Sequence, residues 1–168
     1  MISDFSGFSP EIAEGAYVHP SAQIIGRVRI EEKVSVWPCA VIRGDVEAIT
    51  VKKGSNVQDC AVLHPNRNKP VILDEGVTVG HSAVVHGSVI GRNCLIGMGA
   101  VVMDSEVGEF SLIGAGCVVT PNSKIPPRSL VLGLPFRIVR TLNDSEVEAL
   151  KKSEADYAEL MKMYDKGR

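Results

Sequence analysis

Residues 71–102 read VILDEGVTVGHSAVVHGSVIGRNCLIGMGAVV, and this stretch decides the fold. Ile72, Thr78, Val84, Ile90, Ile96 and Val102 return every sixth position. Four residues after each stand Gly76, Ser82, Ser88, Cys94 and Ala100, with Glu106 the one misfit. A helix would repeat its apolar face every 3.6 residues or so and a lone strand every 2, so a period of six fits neither. It fits a short strand followed by a corner, with three such units closing one coil. The large aliphatic fills the inside of each face, and the small residue lets the chain turn.

The same period extends both ways. Upstream it runs through Val18, Ile24, Ile30, Val36 and Ile42, then Val51, Val57 and Leu63; downstream it runs through Val107, Ile113, Val119, Ile125 and Val131. The expectation is an all-β parallel β-helix of about six coils, stacked at roughly 4.8 Å. Its hexapeptide form resembles the left-handed β-helix families. The steps from Ile42 to Val51 and from Leu63 to Ile72 are nine residues, so the first carries three extra residues near 47–49. The second pushes residues 64–70 out of the wall, where insertions in solenoids often carry function. After Val131 the repeat stops at Leu132-Gly133-Leu134-Pro135. Ser145 and Glu148 then have the spacing of a capping box, and Val147, Leu150, Tyr157, Leu160, Met161 and Tyr164 follow at helical spacing. Residues 1–140 therefore read as the β-helix domain, and 141–168 as a C-terminal α-helix packed on it.

Composition narrows the function. The chain has 168 residues, 18 Lys plus Arg against 20 Asp plus Glu, and a net charge of −2, which argues against a generic phosphate-backbone binder while leaving room for a small local basic patch. No nucleic-acid partner is expected. Hydrophobic residues make up 45% and aromatics only 5%, so Val, Ile, Leu and Ala must build the interior. No run approaches the ~20 apolar residues of a membrane span, and the start has neither the basic nor the apolar region of a secretory signal. Cys39, Cys60, Cys94 and Cys117 show no clustered metal spacing and read as reduced, small core residues of a cytoplasmic protein.

Three histidines carry the chemistry. His64 is one residue past Leu63, and His86 is two past Val84, three hexads later. On this register both lie on one face, one coil apart and offset by one residue, with Cα atoms about 6 Å apart. That spacing suits two imidazoles sharing a metal. His81 belongs to the preceding face or its corner, five residues from His86, and is poorly placed to meet the same ion from within the chain. The simplest completion brings His81 from an adjacent subunit, which makes a cyclic trimer with interfacial sites. Three neutral imidazoles and an open position form a zinc arrangement in which bound water loses a proton near neutral pH. Arg43 and Asp45 read as a solvated or interface ion pair near, though not on, the histidine face. Gln58 and Asp59 are placed to orient a ligand imidazole or the metal-held water. His19, before Pro20, reads as a polar residue at the end of the prism.

Arg43-Gly44-Asp45, Asn56-Val57-Gln58-Asp59, Cys60-Ala61-Val62-Leu63-His64 and Gly80-His81-Ser82-Ala83-Val84-Val85-His86-Gly87 together resemble the signature of gamma-class carbonic anhydrases. Ile96-Gly97-Met98-Gly99-Ala100 and Pro126-Pro127-Arg128-Ser129 fit the same pattern, and the similarity covers roughly residues 10–140. The resemblance implies a homotrimer holding Zn2+, or Fe2+ or Co2+, between subunits, with His64 and His86 from one chain and His81 from its neighbour. It implies reversible hydration of CO2 to bicarbonate by a metal-bound hydroxide. Arg43 and Asp45 match an inter-subunit ion pair, Gln58 and Asp59 match groups around the metal-held water, Asn56 matches a supporting position, and Tyr157 matches an active-site tyrosine. Two departures stand out. Val46 occupies a position where the family carries a glutamate, and the loop after His64 holds Asn66, Arg67, Asn68 and Lys69 in place of acidic proton-transfer residues. An acyl-CoA thioesterase using the same metal, a metal-free hexapeptide acyltransferase and a non-catalytic scaffold are the alternatives.

Overall fold

The computed structural model describes residues 1–165. The chain winds into a left-handed parallel β-helix of about seven turns, closed by one C-terminal helix. The additional turn beyond the expected six comes from residues before Val18, where Ile2–Ser3 and Glu11–Ile12 pair in parallel with Gln23–Ile30. Three faces are built of ladders one coil apart. On the first, Ile24, Ile42, Leu63, Val85, Val102 and Val119 stand in register, each fully buried. Val51, Leu73, Ile90, Val107 and Ile125 form the second column, and Val36, Val57, Val79, Ile96, Ile113 and Val131 the third. Removing these aliphatic columns from water is the main force that closes the coil, at roughly 25 cal/mol per Å² of apolar surface.

The register differs from the sequence expectation over one coil. Leu73, Val79 and Val85 point inward, whereas Ile72 and Val84 are only partly buried. Val71-Ile72-Leu73 and Val84-Val85 offer aliphatics at both parities, so the period alone does not choose between them. The loop after His64 absorbs the extra residue. Thr78 is buried for a different reason: its hydroxyl is hydrogen-bonded to Asn56 and to Ser153 of the helix.

Corners stack as regularly as strands. Cys39, Cys60, Ser82, Gly99 and Gly116 follow one another with φ between 57° and 66°. The amides of Cys60, Ser82, Gly99 and Gly116 donate to Pro38, Asp59, His81 and Met98 one coil below. Each non-glycine residue in this left-handed conformation is strained by about 1–3 kcal/mol, and the interlocked amides hold it there. Cys39 and Cys60 are consequently exposed at a corner, contrary to the expectation of core positions; Cys94 and Cys117 are buried as expected.

Beyond the last coil, Ser129–Leu132 pairs antiparallel with Arg137–Thr141 before the helix Asp144–Asp165 begins. The cap lies two residues earlier than the Ser145 position that the spacing suggested. The side chain of Asn143 accepts the Glu146 amide at 2.9 Å, and the Glu146 carboxylate accepts the Asn143 amide at 2.9 Å. Asn143 and Glu146, not Ser145 and Glu148, form the capping box. Leu142, Val147 and Leu150 bury against Leu95, Leu112 and Leu130, which line the outside of the third face. Further along, Tyr157 and Tyr164 meet Trp37 edge-on, with ring centroids 5.8 and 5.2 Å apart. The helix thus lies on its own β-helix. No helix among the described residues is long and apolar enough to cross a membrane.

Candidate metal centre

Because Leu63 and Val85 are paired, the residues that follow them are paired too. His64 and His86 are direct partners in adjacent parallel strands, without the one-residue offset expected from the hexad count. Their rings lie 5.3 Å apart, tilted by 38°. Arg43 occupies the matching position after Ile42, so it shares the histidine face; the sequence reading had set it off that face. Arg43 and Asp45 form an ion pair, and Asp45 Oδ1 meets His64 Nε2 at 3.0 Å. Burial pushes the Asp45 carboxyl up, but hydrogen bonds from His64 and Arg43, with the Arg43 charge, outweigh it and keep the group below the usual range.

His81 sits at the other end of the same strand, in the corner before Val84–His86. Its Nδ1 lies 2.9 Å from Oδ2 of Asp59, which occupies the corner one coil below. Gln58 is buried next to it and donates from Nε2 to Asn56 Oδ1 at 3.1 Å. Asn56 donates in turn to Thr78, and Thr78 meets Ser153 of the helix. That bond uses one of the two Nε2 protons and fixes the amide, leaving the carbonyl oxygen and the second N–H of Gln58 to offer a ligand. Tyr157 reaches the same corner from the helix, where burial first and the Asp59 charge second push its phenol up. Gln58, His81, Met98, Leu112 and Tyr157 border an apolar groove of about 360 Å³.

The expected residues therefore fall into two groups on one chain. Arg43, Asp45, His64 and His86 form one, at the far end of the first face; Asn56, Gln58, Asp59, His81 and Tyr157 form the other, at the corner where that face begins. No group of three or more potential ligands is gathered by one chain among the described residues. The donor chemistry nevertheless fits a divalent metal. Asp45 sits on one ring nitrogen of His64 and Asp59 on one of His81, the carboxylate–imidazole arrangement that orients ligand histidines and raises their basicity. Neutral imidazoles suit zinc, iron and cobalt alike. Sequence reasoning missed Asp104, whose Oδ1 lies 3.4 Å from His86 Nδ1. Its position two residues after Val102, one coil above His86, was the available signal.

No family model matches the chain. Curated relatives do. A protein of Methanocaldococcus jannaschii named "probable carbonic anhydrase" is 46% identical over 150 residues, covering 89% of this chain and 94% of its own. A carbonic anhydrase of Geobacillus kaustophilus is 39% identical over 165 residues, covering 98% and 91%. The chain belongs to the gamma-class carbonic anhydrase family. Within the reach of this family's similarity lies also the carnitine operon protein CaiE of Escherichia coli, 37% identical over 94% of this chain and 81% of its own. Two solved structures share the fold closely. A Bacillus cereus protein put forward as an acetyltransferase superposes with a TM-score of 0.97 at 34% identity, covering 99% and 98%. A hexapeptide transferase family protein of Anaplasma phagocytophilum gives 0.93 at 33%, covering 97% of each.

Proposed function

We propose that this gamma-class family member catalyses reversible hydration of CO2 to bicarbonate, as a cytoplasmic homotrimer holding Zn2+, Fe2+ or Co2+ at each subunit interface. The observation that carries the reading is the in-register pair His64 and His86, each with a carboxylate beside its ring. His64 and His86 of one chain would hold the metal together with His81 of a neighbouring copy. When bound, such an ion makes a water acidic enough to serve as a nucleophile near neutral pH.

The chain's own residues do the rest. Asp45 fixes the His64 ring, and Arg43 keeps Asp45 ionised. Asp59 fixes His81, so the third donor is already turned when subunits meet. Gln58, clamped by Asn56, presents its carbonyl to a water and orients it for attack. The apolar groove lined by Met98, Leu112 and Tyr157 admits a small nonpolar substrate such as CO2. Val46 and the loop of residues 65–70 place no carboxylate at the family's proton-transfer positions, so proton release to buffer limits turnover in this reading.

The test is stopped-flow CO2 hydration on anaerobically purified protein, with metal content measured on the same sample. Rate enhancement with zinc or iron(II), abolished in His64→Ala, is expected. Inactivity with zinc, iron(II) and cobalt(II) alike overturns the proposal. One observation favours a second reading, an acyl-CoA thioesterase acting through the same residues: the groove beside His81, at about 360 Å³, is larger than CO2 requires. Thioester turnover without CO2 hydration would select it.

A further inference from the structure

Asp104 is tied into the prism through both its backbone and its side chain. Its amide donates to the His86 carbonyl at 2.7 Å, and its own carbonyl accepts the Asn122 amide at 3.0 Å. Its backbone takes φ 47°, the left-handed conformation that also recurs at other corners of the prism and that Asp adopts more readily than most residues. The carboxylate is 15% exposed and turned inward over the coil below. There Oδ2 accepts from Asn66 Nδ2 at 3.0 Å and lies 3.7 Å from Lys69 Nζ, so the extruded loop is fastened to it from two sides. Oδ1 is buried and has no hydrogen-bond partner among the described residues, and Nδ1 of His86 lies 3.4 Å away.

A buried carboxylate oxygen without a donor is costly, and the imidazole beside it has an N–H to give. Room for this approach exists because residue 87 is glycine. A Cβ there would come within 2.3 Å of Asp104 Oδ1 and 3.1 Å of the Asn66 side chain.

We infer that Asp104 is the positioning residue of His86: Oδ1 accepts the Nδ1–H, which keeps the proton on Nδ1 and leaves Nε2 bare for a metal, while Oδ2 fastens the 65–70 loop to the same point. The inference deepens the metal-centre reading and rests on it for its consequence, though not for its geometry. Asp45 serves His64 and Asp59 serves His81, so Asp104 completes a set in which every imidazole of the proposed centre has its own carboxylate. The loop depends on the same carboxylate through its other oxygen: Asn66 and Lys69 meet Oδ2, while Oδ1 alone faces His86.

The test compares wild type with Asp104→Gly and Asp104→Asn. Glycine adopts the positive φ freely, so loss of the carboxylate is separated from loss of the turn. In metal-free protein labelled with 15N-histidine, at a pH where imidazoles are neutral, two-bond 1H–15N spectra report the tautomer of each ring. His86 is expected as the Nδ1–H form in wild type, to shift toward Nε2–H in Asp104→Gly, and to be partly restored in Asp104→Asn. Zinc affinity, read by competition with a chromophoric chelator, should fall 10- to 100-fold in Asp104→Gly. Lys69→Ala, which loosens the loop alone, should keep the wild-type tautomer. An unchanged His86 tautomer in Asp104→Gly, or the same shift in Lys69→Ala, overturns the inference. If wild type itself fails to bind zinc, the metal-centre reading falls, and the tautomer comparison still decides the role of Asp104.

Discussion

His64 and His86 stand opposite each other across one rung of the first face, with ring centroids 5.3 Å apart. The pairing is a consequence of core packing. Leu63 and Val85 beneath them are both fully buried, and any slip of one strand would expose a column of aliphatics. The stiff prism therefore fixes the separation of two donors, and the geometry between them needs no loop to set it. His81 lies in the corner before the strand, at the opposite end from the pair, and in the proposed reading a neighbouring copy supplies it.

Hybrid assemblies test that division of labour. His64→Ala and His81→Ala each remove one donor from every interface of a homotrimer, and each should lose zinc as a pure protein. When the two are unfolded and refolded together, some interfaces combine the intact pair of one chain with the intact His81 of the other. Metal content of the mixture should recover part of the wild-type value by mass spectrometry. Recovery no greater than the average of the two parents would count against a shared centre.

Leu63 couples the core to the site. Leu63→Ala removes the middle of the Ile42–Leu63–Val85 column and should cost about 2–5 kcal/mol in denaturant unfolding. Because His64 is the next residue, its zinc occupancy should fall as well. Leu160→Ala, on a half-exposed position of the helix, should change stability by less than about 1 kcal/mol and leave metal content alone. Equal effects from the two would show that the core column does not position the histidines.

Much of this was legible in the sequence, for a physical reason. A hexad of aliphatic and small residues has one economical packing, and the breaks at residues 47–49 and 64–70 mark where the chain leaves the wall. The register at Val84-Val85 was not legible, because both residues can face inward and only the ladder decides. Asp104 was hidden differently: the residues it touches, Asn66, Lys69 and His86, lie 18 to 38 positions away and meet it only through coiling. The capping box moved from Ser145 to Asn143 because Arg128 and Arg140 engage Asp144 and Glu146, fixing where the first turn begins.

Asn56 supports the second half of the site. Its side chain links buried Gln58 to buried Thr78 at 3.1 and 2.9 Å. Asn56→Ala leaves the Gln58 amide without its acceptor, at about 1–3 kcal/mol, while Thr78 keeps its contact with Ser153. Gln58 then loses its fixed orientation, and CO2 hydration should fall about tenfold while zinc content holds. A loss of zinc equal to the loss of rate would mean that Asn56 acts on the metal ligands themselves.

Glu146 ties the helix to the prism and gives it an acid-sensitive end. Its carboxyl is held at about 2, chiefly by hydrogen bonds from Arg140 and then by the amide of Asn143. A carboxylate lowered in the folded state stabilises that state above its ordinary range near 4.5, and the contribution is lost as pH falls through about 2. Trp37 reports the outcome directly, because it packs on Tyr157 and Tyr164 of the helix. Between about pH 4.5 and 2 the Trp37 emission of wild type should drift toward that of Glu146→Gln, and the two should coincide at the acid end. The pair is exposed, so 1 M salt should shrink the difference throughout. A wild-type signal that is flat across this window, or a Glu146→Gln protein indistinguishable from it at pH 7, would show that the Arg140–Glu146 contact does not hold the helix in place.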